Sequence, residues 1–191
     1  MPTLTVIAGP NGSGKSTITR YLDFEGKDRL LDPDAIARRI DPVDPGRAAV
    51  TAGREAIRRT REYIATGVSF GIETTLSSDG MVATMRQALE AGFSIHISYI
   101  CLGDPELNVQ RVSERVRQGG HNVPEVDIRR RYQRSLQILP GALRIAHEAS
   151  VFENANDEPI LFLKIRNGEV AWLAPDAPAW VTNAVEALTA N

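Results

Sequence analysis

The chain has 191 residues and a mass of 20.9 kDa, with 42% hydrophobic and 24% charged residues. That fits a single domain over residues 1–191, whose core needs neither disulfides nor a structural metal. A formal net charge of -2 excludes the uniformly basic surface of a nonspecific nucleic-acid binder, though not a local basic patch. The single cysteine, Cys101, excludes an intramolecular disulfide or a cysteine-rich zinc site. No apolar run approaches the ~20 residues that span a bilayer. The N-terminus lacks the basic-then-apolar layout of a signal peptide. The expectation is a soluble cytoplasmic protein of a reducing compartment, with no membrane partner.

The β-rich segment 3–8, TLTVIA, stops at a glycine and predicts a buried strand. A helix is expected to open near Gly14, and a short strand around Arg29–Leu31 to end at Asp32-Pro33. Residues 46–66 predict a helix with Ala49, Gly53, Ala56, Ile57 and Ile64 on its inner face and Gly67 as its stop. A strand follows at 68–73. A helix then runs from a Ser78 cap to Gly92, with Met81, Met85, Ala88 and Leu89 at helical spacing. Residues 93–102 form the longest apolar strand, and 105–117 a helix striped by Val109, Val112 and Val116. Residues 125–148 are helical, with a break expected at Pro140-Gly141 where Pro140 opens a second helix. Their stripe is Ile128, Tyr132, Leu136, Leu139, Leu143 and Ala146. Strands near 149–153 and 160–165 precede Asn167-Gly168, a hairpin signal into Val170–Leu173, and 178–189 predict a closing helix. Strands alternating with helices predict an α/β fold: a mainly parallel sheet with helices on both faces and an antiparallel C-terminal edge.

Gly9-Pro10-Asn11-Gly12-Ser13-Gly14-Lys15-Ser16 fits the phosphate-loop pattern G-x-x-x-x-G-K-[ST] at every fixed position. It follows a predicted strand and opens a predicted helix, the context the motif requires. Its glycines let backbone N–H groups close around phosphates, and the helix N-terminus adds positive potential. Lys15 is expected to reach the β and γ phosphates, and the Ser16 hydroxyl to ligate Mg²⁺. Asn11, Gly12, Ser13, Gly14 and Thr17 complete the nucleotide-binding set. No N-K-x-D for guanine and no ABC-type signature is present. The strand at 95–102 ends in Leu102-Gly103-Asp104 without an acidic pair, and the chain is short for a ring ATPase with its lid domain. A small kinase fits better.

Asp32 and Asp34 follow the second predicted strand, where parallel sheets gather their active groups. Asp34 can orient a substrate hydroxyl or accept its proton. Equally, Asp32 and Asp34 fit a turn and helix cap around Pro33. Glu73 with Thr74-Thr75 can bind substrate hydroxyls or a metal-bound water, or simply end a strand. Arg111, Arg115, Arg117, Arg129, Arg130, Arg131 and Arg134 crowd residues 111–134 of a chain with only three lysines. The guanidinium fork suits phosphate, and Gly119-Gly120-His121 divides the cluster like the tip of a lid. Most of these arginines are expected to pair with surface carboxylates and two or three to touch phosphate. His121 has functional potential because the glycines can bring it to the site; His96, His147 and Cys101 read as packing residues. Trp172 and Trp180 are expected to close the C-terminal core.

Taken in order, GPNGSGKST, LLDPDAIARRI, FGIETTLS, the 97–139 segment containing GGHNVPEVDIRRRYQRSL, and VFENANDEP resemble the zeta-toxin-like P-loop kinases over residues 3–165. The GGHNVPE and RRRYQRSL stretch is the more specific part. The resemblance implies ATP and Mg²⁺ as cofactors and transfer to a hydroxyl, in the better-understood members the 3′-hydroxyl of UDP-N-acetylglucosamine. It also implies a small antitoxin as a partner. By position it makes Asp34 the catalytic aspartate, with Lys15, Arg115 and Arg117 completing the catalytic set. Glu73, Thr75, His121, Arg130 and Arg131 fall on the substrate side, and Asn154 in the segment that passes near adenine. The alternatives are an ATP-binding switch without an acceptor and a polynucleotide-end kinase, against which the near-neutral charge argues.

Overall fold

A computed structural model of the chain describes residues 1–120, 122–155 and 158–190. A seven-stranded sheet runs through the molecule in the order β2-β3-β1-β4-β5-β6-β7. Its strands are β1 (Thr3–Ala8), β2 (Leu30–Leu31), β3 (Phe70–Thr74), β4 (Ser94–Cys101), β5 (Glu148–Glu153), β6 (Ile160–Arg166) and β7 (Glu169–Leu173). The pairings among β2, β3, β1, β4 and β5 are parallel, while β6 and β7 are antiparallel. Asn167 and Gly168 take φ of 52° and 76°, the left-handed turn that matches strand twist and makes Asn-Gly a hairpin signal.

The helices are α1 (Lys15–Tyr21), α2 (Pro33–Ile40), α3 (Pro45–Thr66), α4 (Asp79–Glu90), α5 (Pro105–Arg117), α6 (Glu125–Arg144) and α7 (Ala179–Thr189). Pleating sends alternate side chains to opposite faces. Leu4, Val6, Ile95, Ile97 and Tyr99 point to one face, where Met81 and Met85 of α4, Tyr132 and Leu139 of α6, and Val181 of α7 cover them. Ile7 and Ile100 are fully buried outside that cluster, and Phe24, beyond α1, lies against Gly71 on their side of the sheet. α5 packs on α6 through Val109, Val112 and Ile128.

Several sequence expectations are settled or corrected by the fold. α2 follows the helix-cap alternative: Asp32 caps it, its Oδ1 accepting from the Asp34 N–H at 2.9 Å, and Pro33 occupies its first turn. The buried side of α3 is Ala48, Ala52, Ala56 and Thr60, while Ala49 and Ile57 are exposed. α3 packs its small residues on Ile36 and Ala37 of α2, and only toward its C-terminal end do Tyr63 and Ile64 meet the core of the sheet. Pro140 does not divide the helix. It forfeits one backbone bond, but Leu139, Pro140, Ala142 and Leu143 are all buried, and α6 ends one turn later at Arg144. The helix stops short of 148 because backbone bonds to β4 and the hairpin claim the next residues: His147 N–H donates to Ile95 O at 2.9 Å and Gly168 N–H to Ala146 O at 2.9 Å. Finally, Trp172 is 43% exposed, whereas Trp180 packs near Tyr99 and donates to Glu153 Oε2 at 2.7 Å.

Cys101 is buried and free, and burial pushes its thiol pKa up. His96 contacts Ser94 Oγ at 3.1 Å, and His147 Nδ1 accepts from the Ile95 N–H at 3.1 Å. Among the described residues no helix is long and apolar enough to cross a membrane.

Candidate active site

β1 lies between β3 and β4, so the chain leaves the sheet there at the point where strand order reverses. In parallel sheets a crevice opens at that switch, beyond the carboxyl ends of the strands. The glycine-rich loop occupies it. Gly9 N–H donates to Thr74 O at 3.2 Å, and a Cβ on Gly9 would overlap the Ile100 carbonyl of β4. Gly9 has φ +145°, so the tight approach and the backbone conformation both demand glycine.

A cavity of about 770 Å³ opens above this loop. Asn11, Gly12, Gly14, Lys15, Ser16 and Thr17 line its floor. Arg111 and Arg115 of α5 and Arg131 of α6 contribute cations to the lining, while Asp32, Asp34 and Glu73 contribute carboxylates from the ends of β2 and β3 and the start of α2. Thr74 and Thr75 add hydroxyls beside the carboxylates. Four cations and three carboxylates therefore line one cavity, each set supplied by its own elements.

Lys15 is buried, and its ammonium donates to Gly9 O at 2.8 Å and Pro10 O at 2.9 Å. Burial lowers its pKa, against the attraction of Glu73, Asp34 and Asp32; Arg115 pushes the same way as burial. Ser16 Oγ donates to Glu73 Oε1 at 2.9 Å. Burial raises the Glu73 pKa, with Lys15 and the Ser16 hydrogen bond opposing and Asp32 and Asp34 reinforcing the rise. The folded chain thus holds the Glu73 proton more tightly than the unfolded chain. Stability that is full below the ordinary carboxylate range is lost as pH rises through the raised pKa. Glu73→Gln removes that loss. It is expected to melt above the parent chain at neutral pH, by about 2–4 °C per kcal/mol relieved. The difference closes as pH falls into the ordinary carboxylate range. Melting curves across pH check this, and a variant less stable at every pH contradicts it.

A Mg²⁺ site fits these residues. The Ser16 hydroxyl and Glu73 carboxylate lie side by side, and an adjacent cation would relieve a carboxylate that burial disfavours. Among the described residues no three acidic, His or Cys side chains form a metal cage. Magnesium held largely by substrate phosphates and water needs none.

Most of the expected residues converge here, but not all. Ser13 is buried beneath the floor, and Asn154 lines the cavity while donating from Nδ2 to Ser13 O at 2.9 Å. Arg131 reaches Asn11 Oδ1 at 3.3 Å, and Arg111 donates to Ala155 O at 3.2 Å. Arg117 and Arg130 lie outside the lining, paired with Glu114 and Asp127 at 2.7 Å each. His121 falls outside the described residues. Sequence reading had not singled out Asn108, whose Nδ2 donates to Asn11 O at 2.6 Å. Its signal was the spacing Asn108, Arg111, Arg115, which puts all three on one face of α5. Asp32 was weighed as a cap and is one, yet it also lines the cavity.

Residues 4–137 match the family model described as an AAA domain. An uncharacterised protein of Haemophilus influenzae is 38% identical over 124 residues, which is 65% of this chain and 88% of that protein. Among solved structures, a chain of the AvrRxo1-ORF1:AvrRxo1-ORF2 complex with sulphate ions superposes on all of this chain with a TM-score of 0.68 at 14% identity. A chain of that complex with ATP gives 0.60 over 98% of this chain, also at 14% identity. This chain spans 65% and 64% of those two chains. A chain of the PezAT toxin–antitoxin system of Streptococcus pneumoniae gives 0.57 at 17% identity, over 84% of this chain and 70% of its own. These likenesses show a shared α/β fold. With the family model covering well over half its length, the chain belongs to the AAA-domain family of P-loop proteins.

Proposed function

We propose that this protein is a kinase that transfers the γ-phosphoryl group of ATP to an alcohol hydroxyl of a small metabolite. The observation that carries the reading is the make-up of the cavity: a phosphate loop with three arginines, joined by carboxylates and threonine hydroxyls from other elements. The cationic groups suit a triphosphate. The acidic groups repel phosphate and suit the hydroxyls of an acceptor.

The backbone N–H groups of residues 12–17 hold the β and γ phosphates, and Lys15 turns from the Gly9 and Pro10 carbonyls toward them. Ser16 would hold Mg²⁺, with Glu73 beside it; the ion, when bound, neutralises charge on the β and γ oxygens. Thr75 and Glu73 orient the acceptor. Asp34 takes the proton from its hydroxyl as that oxygen bonds to the γ phosphorus. The bond from phosphorus to the β–γ bridging oxygen breaks, and ADP leaves. Arg115, with Arg111 and Arg131, offsets the negative charge carried through the transfer. Arg117 and Arg130 take no part in the step, since both stand in exterior ion pairs. Within one domain, the parts of α5 and α6 that fall in 111–134 would form a lid that excludes water, His121 lying outside the described residues. The solved relatives from PezAT and AvrRxo1 come from two-protein systems, which supports a small partner protein for this chain as well.

The test is ATP consumption with Mg²⁺ against a panel of UDP-sugars, with mass spectrometry of the products. UDP-N-acetylglucosamine is the first acceptor of the panel. A phosphorylated sugar nucleotide is the expected product. Slow hydrolysis with no phosphorylated acceptor across the panel and a wider metabolite set supports the switch reading instead.

A further inference from the structure

Two asparagines grip the phosphate loop from different elements. Asn108, on α5, is 0% exposed and donates from Nδ2 to Asn11 O at 2.6 Å. Asn154, just beyond β5, is 9% exposed and donates to Ser13 O at 2.9 Å. The two carbonyls are alternate ones along the loop. In a trans peptide the carbonyl of one residue and the N–H of the next point in opposite directions. Drawing the Asn11 and Ser13 carbonyls to the asparagines therefore aims the Gly12 and Gly14 N–H groups the other way, where phosphate oxygens bind in such a loop.

The neighbouring glycines match this grip. A Cβ on Gly12 would crowd the Asn108 backbone oxygen at 2.8 Å, and a Cβ on Gly14 would overlap Asn154 Nδ2. The loop is not held by its own serine: Ser13 is 0% exposed and its hydroxyl has no hydrogen-bond partner among the described residues. Asn108 also shares its face of α5 with Arg111 and Arg115, so one helix positions both the loop and the arginines.

We infer that Asn108 and Asn154 are positioning residues of the phosphate loop, and that Asn154 serves the phosphate chain of the nucleotide and not its base. The inference rests on the ATP reading only for the identity of the nucleotide.

Calorimetric titration of the parent chain, Asn108→Ala and Asn154→Ala with ATP, GTP, adenosine and inorganic tripolyphosphate tests it. Each variant is expected to weaken ATP and tripolyphosphate together, on the order of tenfold or more for a lost buried tether. The ATP-to-GTP ratio and adenosine binding stay within about twofold of the parent, a pattern general loss of structure does not produce. Asn154→Asp provides a second variant of the same size, in which a carboxylate replaces the donor to the Ser13 carbonyl. It is expected to follow Asn154→Ala in phosphate binding, with melting curves of all variants showing that each is folded at the titration temperature. An altered ATP-to-GTP ratio, or adenosine weakened as much as ATP, overturns the inference for Asn154. Unchanged tripolyphosphate affinity overturns it for either residue. A parent chain that binds tripolyphosphate but not ATP ends the ATP reading and leaves the inference standing. A parent chain that binds neither ends both.

Discussion

Lys15→Ala is expected to weaken ATP binding by a factor of about 100 or more and to abolish measurable phosphoryl transfer. Lys15 is the buried cation of the cavity floor, seated on the Gly9 and Pro10 carbonyls at 2.8 and 2.9 Å. Burial already disfavours its charge, and the attraction of Glu73, Asp34 and Asp32 opposes that loss. An arriving triphosphate adds charge-assisted hydrogen bonds, each contributing roughly 1.5–3 kcal/mol. Removing the ammonium forfeits these and leaves three carboxylates beside the phosphates with one fewer opposing charge. Lys15→Arg is not expected to restore transfer, because a planar guanidinium does not fit a seat built for a compact ammonium. Calorimetry and turnover measured together check both parts. ATP affinity within about threefold of the parent contradicts the phosphate role.

Asp34→Ala is expected to reduce turnover by about 10²–10⁴ while leaving ATP affinity within about twofold. The two effects separate because Asp34 stands with the carboxylates and not in the loop. The fold does not depend on its side chain: α2 is capped by the Asp32 carboxylate, to which Asp34 contributes only its backbone N–H. Asp32→Ala should behave differently, removing the cap at a cost of about 0.5–2 kcal/mol in stability. Full transfer by Asp34→Ala would remove the base assignment and turn attention to Glu73, whose pKa burial raises.

The mainly parallel sheet with its antiparallel edge, and the loop's location, were legible in the sequence for local reasons, while the strand order was not. The phosphate-loop pattern sat between a strand and a helix, and Asn167-Gly168 carried its turn in two residues. What escaped depends on partners distant in sequence. The small residues of α3 turn toward Ile36 and Ala37 of α2, a helix whose signal was split between a cap and a proline. Pro140 survives inside α6 because the core buries its surroundings, which no local rule reports. In the arginine cluster, composition announced phosphate chemistry but not direction. Helical residues advance about 100° each, so Arg115 and Arg117 face apart, as do Arg130 and Arg131. Arg115 and Arg131 line the cavity; Arg117 and Arg130 pair with Glu114 and Asp127. Spacing from Asn108 sorts the α5 arginines, but the importance of Asn108 emerges only once its carboxamide is seen on the loop. The same contact geometry, Asn154 Nδ2 on the Ser13 carbonyl, is what the inference about Asn154 rests on.

Phosphorus NMR of the protein with ATP, Mg²⁺ and a fractionated metabolite pool, run beside Asp34→Ala, tests the central claim most directly. The account predicts a new phosphate monoester resonance that grows as the γ-phosphate signal of ATP declines, and that is absent with the variant. Decline of the γ signal into inorganic phosphate alone, at equal rates in both proteins, would contradict it.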